Sequence, residues 1–392
     1  MARDCRSVGG LGLWLAEAAR EHRDIEGLFS AFCRELISHD LPVYRGSMGL
    51  ELLHPEVSGS LFVWVDETVK VRETERAQIA QSPSYLHSPT RIVDDTDRPF
   101  RRRLIESVAD MPLLEELRRE GATDYYMVPL PFLDRSRSAV MAFATRHPFG
   151  FEDRQIEQLS AAAALFSPYA ERHVLRRIAV DLLDTYVGPR TGQRIFDGRI
   201  EPGQIERIEA TIWMADLRGF TRFSEDATTG DLIDALNAWF AVMVEVIEAH
   251  GGEVLKFIGD AVLAIFPAEG RGGNGACEDA IAAAESFRQR TGALNEERQR
   301  QGRRALDFAV ALHIGEVAYG NVGAPHRMDF TVIGPAVNRV SRLQDLAKDL
   351  GRRIVVSADV ADCVQCPLVD LGEFPLRGVS GLQRVYGVAT DR

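Results

Sequence analysis

A cluster of glycine and proline residues divides this sequence between about residues 185 and 205. Gly188, Pro189 and Gly203 lie within it, and these residue types favour turns over continued helix or strand. At roughly 150 residues per domain, a chain of 392 residues has room for two or three domains. We therefore expect a domain boundary at the cluster, entered through a long helix that begins at Phe151 and runs to about Leu183.

The part of the chain before this boundary mixes helical and extended patterns. Apolar residues at helical spacing predict one or two amphipathic helices over residues 10–39. Short runs rich in Val, Leu, Phe and Trp predict strands at residues 49–53, 60–65, 125–130 and 139–145. The charged and weakly periodic stretch 72–107 predicts a loop with short helix. Together these patterns predict one domain over residues 1–150 and a connecting helix and linker over 151–205.

Strands and helices alternate clearly after the boundary, which indicates a separate domain over residues 206–392. The expected strands cover residues 210–215, 254–258, 261–266, 306–314, 317–322, 330–333, 354–356 and 383–388. The expected helices cover residues 231–249, 278–289 and 335–347. The second and third strands form a hairpin that turns at Gly259 and Asp260. The last helix opens on Pro335, whose fixed φ suits a first helical turn.

Composition argues against several classes of partner. The sequence has 58 acidic residues against 46 Lys and Arg, so its net charge is −12. A chain this acidic is poorly suited to hold nucleic acid or an anionic membrane through bulk charge. Five scattered cysteines do not form a disulfide framework, and no apolar run approaches the roughly 20 residues that a membrane span requires. We therefore expect a reduced, cytoplasmic protein that has no membrane span and binds no nucleic acid.

Two aspartates stand where an apolar strand meets a turn. Asp216 ends the strand that contains Trp213, and Asp260 lies in the hairpin turn. Mg²⁺ and similar cations bind a few carboxylate oxygens and complete their shell with substrate phosphate. Two such aspartates at adjacent strand ends would suit a two-metal site for phosphoryl chemistry. Either aspartate alone is better explained by a turn in which its carboxylate accepts backbone hydrogen bonds.

Three segments, taken together, resemble the class III nucleotidyl cyclases. They are MADLRGFTRFS at 214–224, GGEVLKFIGDAVLAIF at 251–266 and FTVIGPAVNRVSRL at 330–343. The resemblance runs from about residue 206 to 390 in the order and spacing of the family, and three agreeing motifs are more specific than one. It implies an α+β fold, with a ferredoxin-like or palm catalytic domain over residues 206–392.

The resemblance implies a metal site and a purine site. In the family two aspartates hold two divalent metal ions, Mg²⁺ or Mn²⁺, and they correspond to Asp216 and Asp260 here. The backbone carbonyl of Leu217 is implied as a further ligand. A lysine and a polar residue read the purine, and they correspond to Lys256 and Thr331. The lysine implies ATP as substrate, and the threonine resembles a bacterial subgroup in which it replaces the aspartate of the animal enzymes.

A ribose-binding asparagine and a charge-stabilising arginine of the family correspond to Asn338 and Arg342. Their spacing of four residues independently predicts that both side chains share one face of a helix. Arginine can also offer a planar fork to phosphate oxygens. Many members carry a triphosphate-binding lysine near the last hairpin, where this chain has Arg377 instead. Whether Arg377 takes that role stays open.

The implied reaction is that of an adenylate cyclase, which converts ATP into 3′,5′-cyclic AMP and pyrophosphate. In the family one site takes its metal aspartates and its purine and arginine residues from different subunits, so one cyclase unit per chain implies a head-to-tail homodimer. The N-terminal order of helix, strands and exit helix resembles a GAF-type α/β sensor, which implies regulation by an unidentified small-molecule or protein signal. Cys33, His54 and His87 are possible ligand contacts there, although a structural role suits each of them better.

Other interpretations stay open at this point. One is a catalytically weak, cyclase-like module that binds nucleotide for regulation, and another is a diguanylate cyclase, which has a related palm topology. The complete residue set argues against the first, and the three motifs argue against the second. The glycine-rich stretch 270–275 fits a dinucleotide fingerprint as text, but without a following acidic strand end it predicts a flexible surface loop. Cys363 and Cys366 form a single C-x-x-C pair, which is weak evidence for zinc.

Overall fold

The computed structural model describes residues 8–22, 24–55, 57–75, 83–105, 110–133 and 138–389. The chain forms two compact units, which divide between Leu182 and Leu183. This point lies inside a helix, and the domain limits at residues 150 and 205 stay predictions from the sequence. Within the described residues, no helix combines the length and the apolar character that crossing a bilayer would need.

The N-terminal unit, up to Leu182, is built on a six-stranded sheet in which all neighbouring strands are antiparallel. Its strands are β1 (Arg45–Glu51), β2 (Val57–Val65), β3 (Thr68–Glu75), β4 (Phe100–Arg103), β5 (Asp124–Pro129) and β6 (Ala139–Thr145), in the order β3-β2-β1-β6-β5-β4. Its described helices are α1 (Val8–Glu21), α2 (Ile25–Ser38), α3 (Pro83–Leu86), α4 (Pro89–Thr96), α5 (Pro112–Arg119) and α6 (Asp153–Val187), which continues past the division.

Apolar packing holds this unit together. All seven residues of β6 are buried, which fits its place near the middle of the sheet. Helix α2 packs Phe29 and Phe32 against Phe166 of α6, with ring centroids 6.0 and 4.7 Å from that ring. Asp24 caps the start of α2 by accepting a hydrogen bond of 2.6 Å from the Gly27 backbone N–H. The helical pattern of residues 10–39 is therefore confirmed as two helices.

The difference from the sequence prediction lies in the charged stretch 72–107. Its described residues contain the end of β3 together with α3, α4 and β4, so they are more regular than the expected loop with short helix. Strand β3 lies at the edge of the sheet and is mostly exposed, and its end within this stretch, residues 72–75, carries only polar side chains, which hide the strand pattern. The GAF-like resemblance of this unit stays a prediction.

The C-terminal unit, from Leu183, is built on an eight-stranded sheet. Its strands are β7 (Ile205–Leu217), β8 (Glu253–Ile258), β9 (Ala261–Pro267), β10 (Phe308–Ala324), β11 (Arg327–Ile333), β12 (Ile354–Ser357), β13 (Leu368–Pro375) and β14 (Leu382–Val388). Seven of them follow the order β13-β14-β12-β10-β7-β9-β8, and β11 pairs with β10. Besides the end of α6, its helices are α7 (Pro189–Phe196), α8 (Phe220–Asp226), α9 (Thr229–Ala249), α10 (Gly272–Arg300), α11 (Pro335–Asp349) and α12 (Ala358–Ala361).

Four strands and two helices of this unit form the ferredoxin-like βαββαβ arrangement. Helix α9 connects β7 to β8, α10 connects β9 to β10, and the four strands lie in the order β10-β7-β9-β8. This is the α+β fold that the resemblance implied for the C-terminal part. Because β7 and β9 are neighbours, the turn that precedes β9 lies beside the end of β7.

Three details of this unit differ from the sequence prediction. Residues 306–322, expected as two strands, belong mainly to the single long strand β10, because its first part pairs with β7 and its last part with β11. Strand β13 was missed, since most of its residues are at least partly exposed and lack a clear apolar alternation. The stretch 270–275, expected as a flexible loop, contributes its last four residues to the first turn of α10.

An aromatic cluster fixes α9 and α10 against one face of this sheet. Trp239 lies 4.9 Å from Phe287, and Phe287 lies 4.8 Å from Phe308, measured between ring centroids. All three side chains are buried. Helix α11 covers the other face, where it buries Val340 and Leu343. Apolar contacts therefore cover both faces of the sheet.

Candidate active site

Asp216 and Asp260 come together at neighbouring strands. Asp216 is the penultimate residue of β7, and Asp260 lies in the turn between β8 and β9. Gly259 adopts a φ of +65° in this turn, a conformation that glycine accepts without strain. The indole N–H of Trp239 donates a hydrogen bond of 3.3 Å to the Asp260 backbone carbonyl, which ties the turn to the aromatic core. The two carboxyl groups are close enough that each shifts the pKa of the other.

The environment separates the proton affinities of these two carboxyl groups. Burial and the adjacent Asp216 carboxylate raise the pKa of Asp260 to about 7, although its own backbone N–H and that of Leu217 act in the opposite direction. Burial also acts to raise the pKa of Asp216, but the hydrogen bond from Asp260 and the Lys348 ammonium outweigh it and lower that pKa. The two carboxyl groups therefore differ in proton affinity, and Asp260 is the one that keeps its proton to higher pH.

Helix α11 supplies two further contacts to Asp216 that the sequence reasoning missed. The amide of Gln344 donates to Asp216 Oδ2 at 3.3 Å, and the Lys348 ammonium donates to the same oxygen. Gln344 and Lys348 are four residues apart, so they share one side of the helix. The spacing of four residues is visible in the sequence, but the sequence does not indicate which strand this side of the helix contacts.

The donor set of this site suits a hard divalent cation. Among the described residues no group of three or more His, Cys, Asp or Glu side chains could hold a metal ion. Two neighbouring carboxyl groups match the way in which Mg²⁺ binds through one or two carboxylates and completes its shell with substrate phosphate. Leu217 is buried beside them, and its carbonyl as a metal ligand stays a prediction.

Lys256 and Thr331 lie on two strands that approach each other. The ammonium of Lys256, on β8, is 2.9 Å from the carboxylate of Asp329, on β11. Asp329 lies two residues before Thr331 on the same strand, so both side chains lie on the same face of that strand. Thr331 is only 5% exposed, and its hydroxyl has no hydrogen-bond partner among the described residues. Buried hydroxyls are normally paired, so this one has unused hydrogen-bonding capacity.

A cleft of about 570 Å³ runs beside this pair of strands. Lys256, Asp329 and Phe330 line it, together with the end of α6. The sequence reasoning did not select Asp329, although its alternation with Thr331 along a strand was a signal that could have found it. The cleft therefore presents one cationic donor, held in place by a carboxylate, while Thr331 is not among its lining residues.

Asn338 and Arg342 make no described contact with either of these groups. They are exposed on α11, and Arg342 is 3.6 Å from Asp345 on the same helix. None of their described contacts reaches Asp216, Asp260 or Lys256. At about 100° per residue, Arg342 points roughly 120° away from Lys348, which contacts Asp216. The structure thus places Asp216 beside Asp260, and Lys256 beside the strand that carries Thr331. The roles of all these residues stay predictions.

The other candidate residues are Arg377, Cys363 and Cys366 in the C-terminal unit and Cys33 in the N-terminal unit. Arg377 is exposed after β13, and its expected role toward triphosphate stays a prediction. The thiols of Cys363 and Cys277 are neighbours in the apolar cluster behind the sheet, and both Cys363 and Cys366 are free thiols. In the N-terminal unit, burial raises the pKa of the fully buried Cys33 thiol.

Two histidines of the N-terminal unit, His54 and His87, are the last of the possible ligand contacts taken from the sequence. The Nδ1 atom of His54 accepts a hydrogen bond of 3.2 Å from the Val57 backbone N–H, which stabilises the turn into β2. His87 is exposed between α3 and α4. His54 therefore has a structural contact of the kind that the sequence favoured, while a ligand role for either histidine stays a prediction.

Comparison with known proteins agrees with this geometry. The family described as the adenylate and guanylate cyclase catalytic domain matches residues 204–389. The C-terminal unit belongs to this family. The match contains all three segments that carried the resemblance, so the class III cyclase expectation is confirmed, and it does not extend into the N-terminal unit.

Individual cyclases match the same region. An adenylate cyclase of Anabaena cylindrica is 36% identical over 192 residues, which cover 48% of this chain and 36% of the relative. Adenylate cyclase 1 of Rhizobium meliloti is 33% identical over 161 residues, 40% of this chain and 24% of that one. The chain thus spans about a third or less of these relatives. The solved adenylyl cyclase CyaB from P. aeruginosa is 29% identical, with a TM-score of 0.45 over 48% of this chain and 97% of that one.

The carboxyl pair predicts how stability depends on pH when metal is absent. Because the pKa of Asp260 is raised to about 7, the folded state holds its proton more tightly than the unfolded chain does. The resulting stabilisation is complete below the unfolded pKa, about 3.9, and is lost as pH rises through 7. We expect thermal melting in chelator to show a loss on the order of 1 kcal/mol, after solvent screening is allowed for.

The matched variant is Asp260→Asn, which cannot titrate. Other groups also respond to pH, so the informative quantity is the difference between the melting curves of wild type and variant at each pH. The wild type should lose more stability than Asp260→Asn between about pH 5 and 8. Parallel curves over this range would contradict the raised pKa of Asp260.

Proposed function

We propose that this protein is an adenylate cyclase that converts ATP into 3′,5′-cyclic AMP and pyrophosphate. The observation that carries the proposal is the meeting of Asp216 with Asp260, in a unit whose strands also bring Lys256 beside Asp329. Within the part of the chain that the structure describes, the Thr331 hydroxyl has no hydrogen-bond partner. The first pair has the chemistry of a metal and phosphate site. The second group has the chemistry of a site for the polar edge of a base.

Asp216 and Asp260, with the Leu217 carbonyl, would hold two divalent cations, Mg²⁺ or Mn²⁺. When bound, such ions lower the pKa of an attacking hydroxyl and neutralise charge on phosphate oxygens. The chain's own contribution is to hold two carboxylates at fixed strand positions, with Trp239 anchoring the turn. Gln344 orients the Asp216 oxygen through its amide hydrogen bond. This preorganisation keeps the ligands in place before substrate arrives.

Lys256 and Thr331 would select adenine. The Lys256 ammonium can donate to the ring nitrogen that accepts hydrogen bonds on the adenine edge, and the Thr331 hydroxyl can accept from the amino group. Guanine presents an N–H at the corresponding ring position, which would face the ammonium without a hydrogen bond. A buried polar group left unpaired is costly, so this mismatch supports ATP over GTP.

Asn338 and Arg342 would act at the other site of a dimer. The arginine fork can stabilise the negative charge that builds up on the phosphates, and the asparagine can orient the ribose for in-line attack by its 3′-hydroxyl. Their direction on α11, away from the Asp216 contact of the same helix, supports a partner chain as the place where they work. A head-to-tail homodimer would then form two complete sites.

Exposed apolar side chains near the site support such a dimer. Phe257, Ile258 and Ile333 are each 50% exposed, and they neighbour Lys256, the Asp260 turn and Thr331 along the chain. Apolar side chains concentrated beside a polar site are typical of an interaction surface. Covering them with a second copy would exclude water from the region where the base and ribose bind.

The N-terminal unit is proposed to regulate this activity in response to an unidentified small-molecule or protein signal. Helix α6 begins in that unit and continues into the C-terminal unit. Leu175 and Leu182 lie seven residues apart on α6 and are both exposed, which suits pairing with the same helix of a second chain. Such pairing would link the N-terminal units to the spacing of the two catalytic units.

The direct test is product identification with the purified full-length chain. Incubation with ATP, and separately with GTP, in Mg²⁺ or Mn²⁺ should yield cyclic AMP and pyrophosphate from ATP, identified by mass spectrometry. Asp260→Asn should lower the rate by at least about a hundredfold, since metal-bound charge stabilisation is worth several kcal/mol. Asp226→Asn, an exposed aspartate on α8, is the matched control and should keep its rate.

Each alternative gives a different product in this assay. Nucleotide binding without any cyclic product would contradict catalysis and favour a nucleotide-binding regulatory module. A cyclic dinucleotide formed from GTP would favour a diguanylate cyclase. Cyclic GMP as the main product would reject the assignment of Lys256 and Thr331 to adenine.

Purine choice can be tested at the base-reading residues. A Lys256→Glu change by itself would place a carboxylate against Asp329, so the exchange is made in an Asp329→Asn background. In that background Lys256→Glu with Thr331→Cys should lower the rate with ATP by at least about a hundredfold, because the donor to adenine is lost. The reference is the Asp329→Asn single variant, and unchanged ATP turnover between the two would reject the assignment.

A further inference from the structure

Helix α11 places the Lys348 ammonium against the Asp216 carboxylate, which the proposed function assigns as a metal ligand. The Lys348 ammonium and the Gln344 amide both donate to Asp216 Oδ2. The Asp216 side chain is 17% exposed, so its surroundings screen charge less than bulk water does. Lys348 is 36% exposed, and its flexible stem can move into solvent without disturbing the helix.

The reason for this contact lies in the pairing of Asp216 with Asp260. Two carboxyl groups in a half-buried place repel each other once both are ionised, so a nearby cation stabilises the pair. Lys348 supplies that cation from the same chain. Gln344 reaches the same oxygen as a neutral donor, which would still orient the carboxylate if Lys348 moved away.

We propose that Lys348 is a positioning residue that occupies Asp216 in the metal-free protein and competes with the divalent cation for the same carboxylate. The inference rests on the proposed function, since it takes Asp216 as a metal ligand. An ammonium and a divalent cation cannot share one carboxylate oxygen at close range without strong repulsion. Lys348 therefore leaves Asp216 Oδ2 when metal binds, and the free energy of its ion pair weakens the observed metal affinity.

The experiment measures Mn²⁺ binding directly, without nucleotide and without turnover. Full-length protein is titrated with Mn²⁺ alone at about pH 8, where protons compete little with metal, and free Mn²⁺ is followed by electron paramagnetic resonance. Lys348→Met should tighten binding by about fivefold to tenfold, the effect of losing one partly exposed charge-assisted hydrogen bond. Mn²⁺ should also raise the melting temperature of Lys348→Met more than that of wild type.

The matched control is Arg339→Met, which removes one positive charge from the same helix. Arg339 pairs with Asp359 at 3.7 Å, and none of its described contacts reaches Asp216. This variant should bind Mn²⁺ as wild type does. Lys348→Arg keeps the charge and should also keep the weak affinity, so it tests the proposal even if Lys348→Met folds poorly.

The outcomes separate this proposal from the proposed function. Unchanged or weaker Mn²⁺ binding by Lys348→Met, or an equal gain in Arg339→Met, would overturn the competition between Lys348 and metal. Tighter binding by Lys348→Arg would overturn it as well. Asp216→Asn reports on the site itself: if this change leaves Mn²⁺ binding intact, the metal assignment of the proposed function fails, whatever Lys348 does.

Discussion

The pairing of Asp216 with Asp260 is the constraint on which the account of the C-terminal unit depends. Two carboxyl groups lie together in a half-buried place only if the surrounding fold offsets their repulsion. The β7–β9 pairing brings the two residues side by side, and the indole N–H of Trp239 fixes the turn. The raised pKa of Asp260 and the contact of the Lys348 ammonium with Asp216 both reduce the net negative charge of the pair.

Sequence patterns predicted the elements that carry this site because their signals are local. The hairpin around Gly259 and the strand that leads to Asp216 could be recognised from apolar runs and turn residues. The contacts of Gln344, Lys348 and Asp329 could not, since each joins elements that are distant in the sequence. The pattern of one helix does not reveal which strand end its polar side chains will meet.

Helix α11 has two polar faces with different tasks in this account. One face, with Gln344 and Lys348, contacts the Asp216 carboxylate of its own chain. The other carries Asn338 and Arg342, which none of the described contacts brings to the carboxyl pair or to Lys256. A site completed by a second chain explains both faces, whereas a site within one chain leaves the second face without a role. The regulatory role proposed for the N-terminal unit rests on its order of helices and strands alone, because its sequence shows no group of polar residues comparable to those of the candidate active site.

The central claim is that each site combines the carboxyl pair of one chain with the α11 residues of another. It is tested most directly by mixing two inactive variants, Asp260→Ala and Arg342→Ala, under conditions in which subunits exchange. Random exchange puts about half of the molecules into heterodimers with one intact site of two, so cyclic AMP formation should recover to about a quarter of the wild-type rate. If a tagged pull-down confirms exchange and the mixture is no more active than the separate variants, the shared site is contradicted.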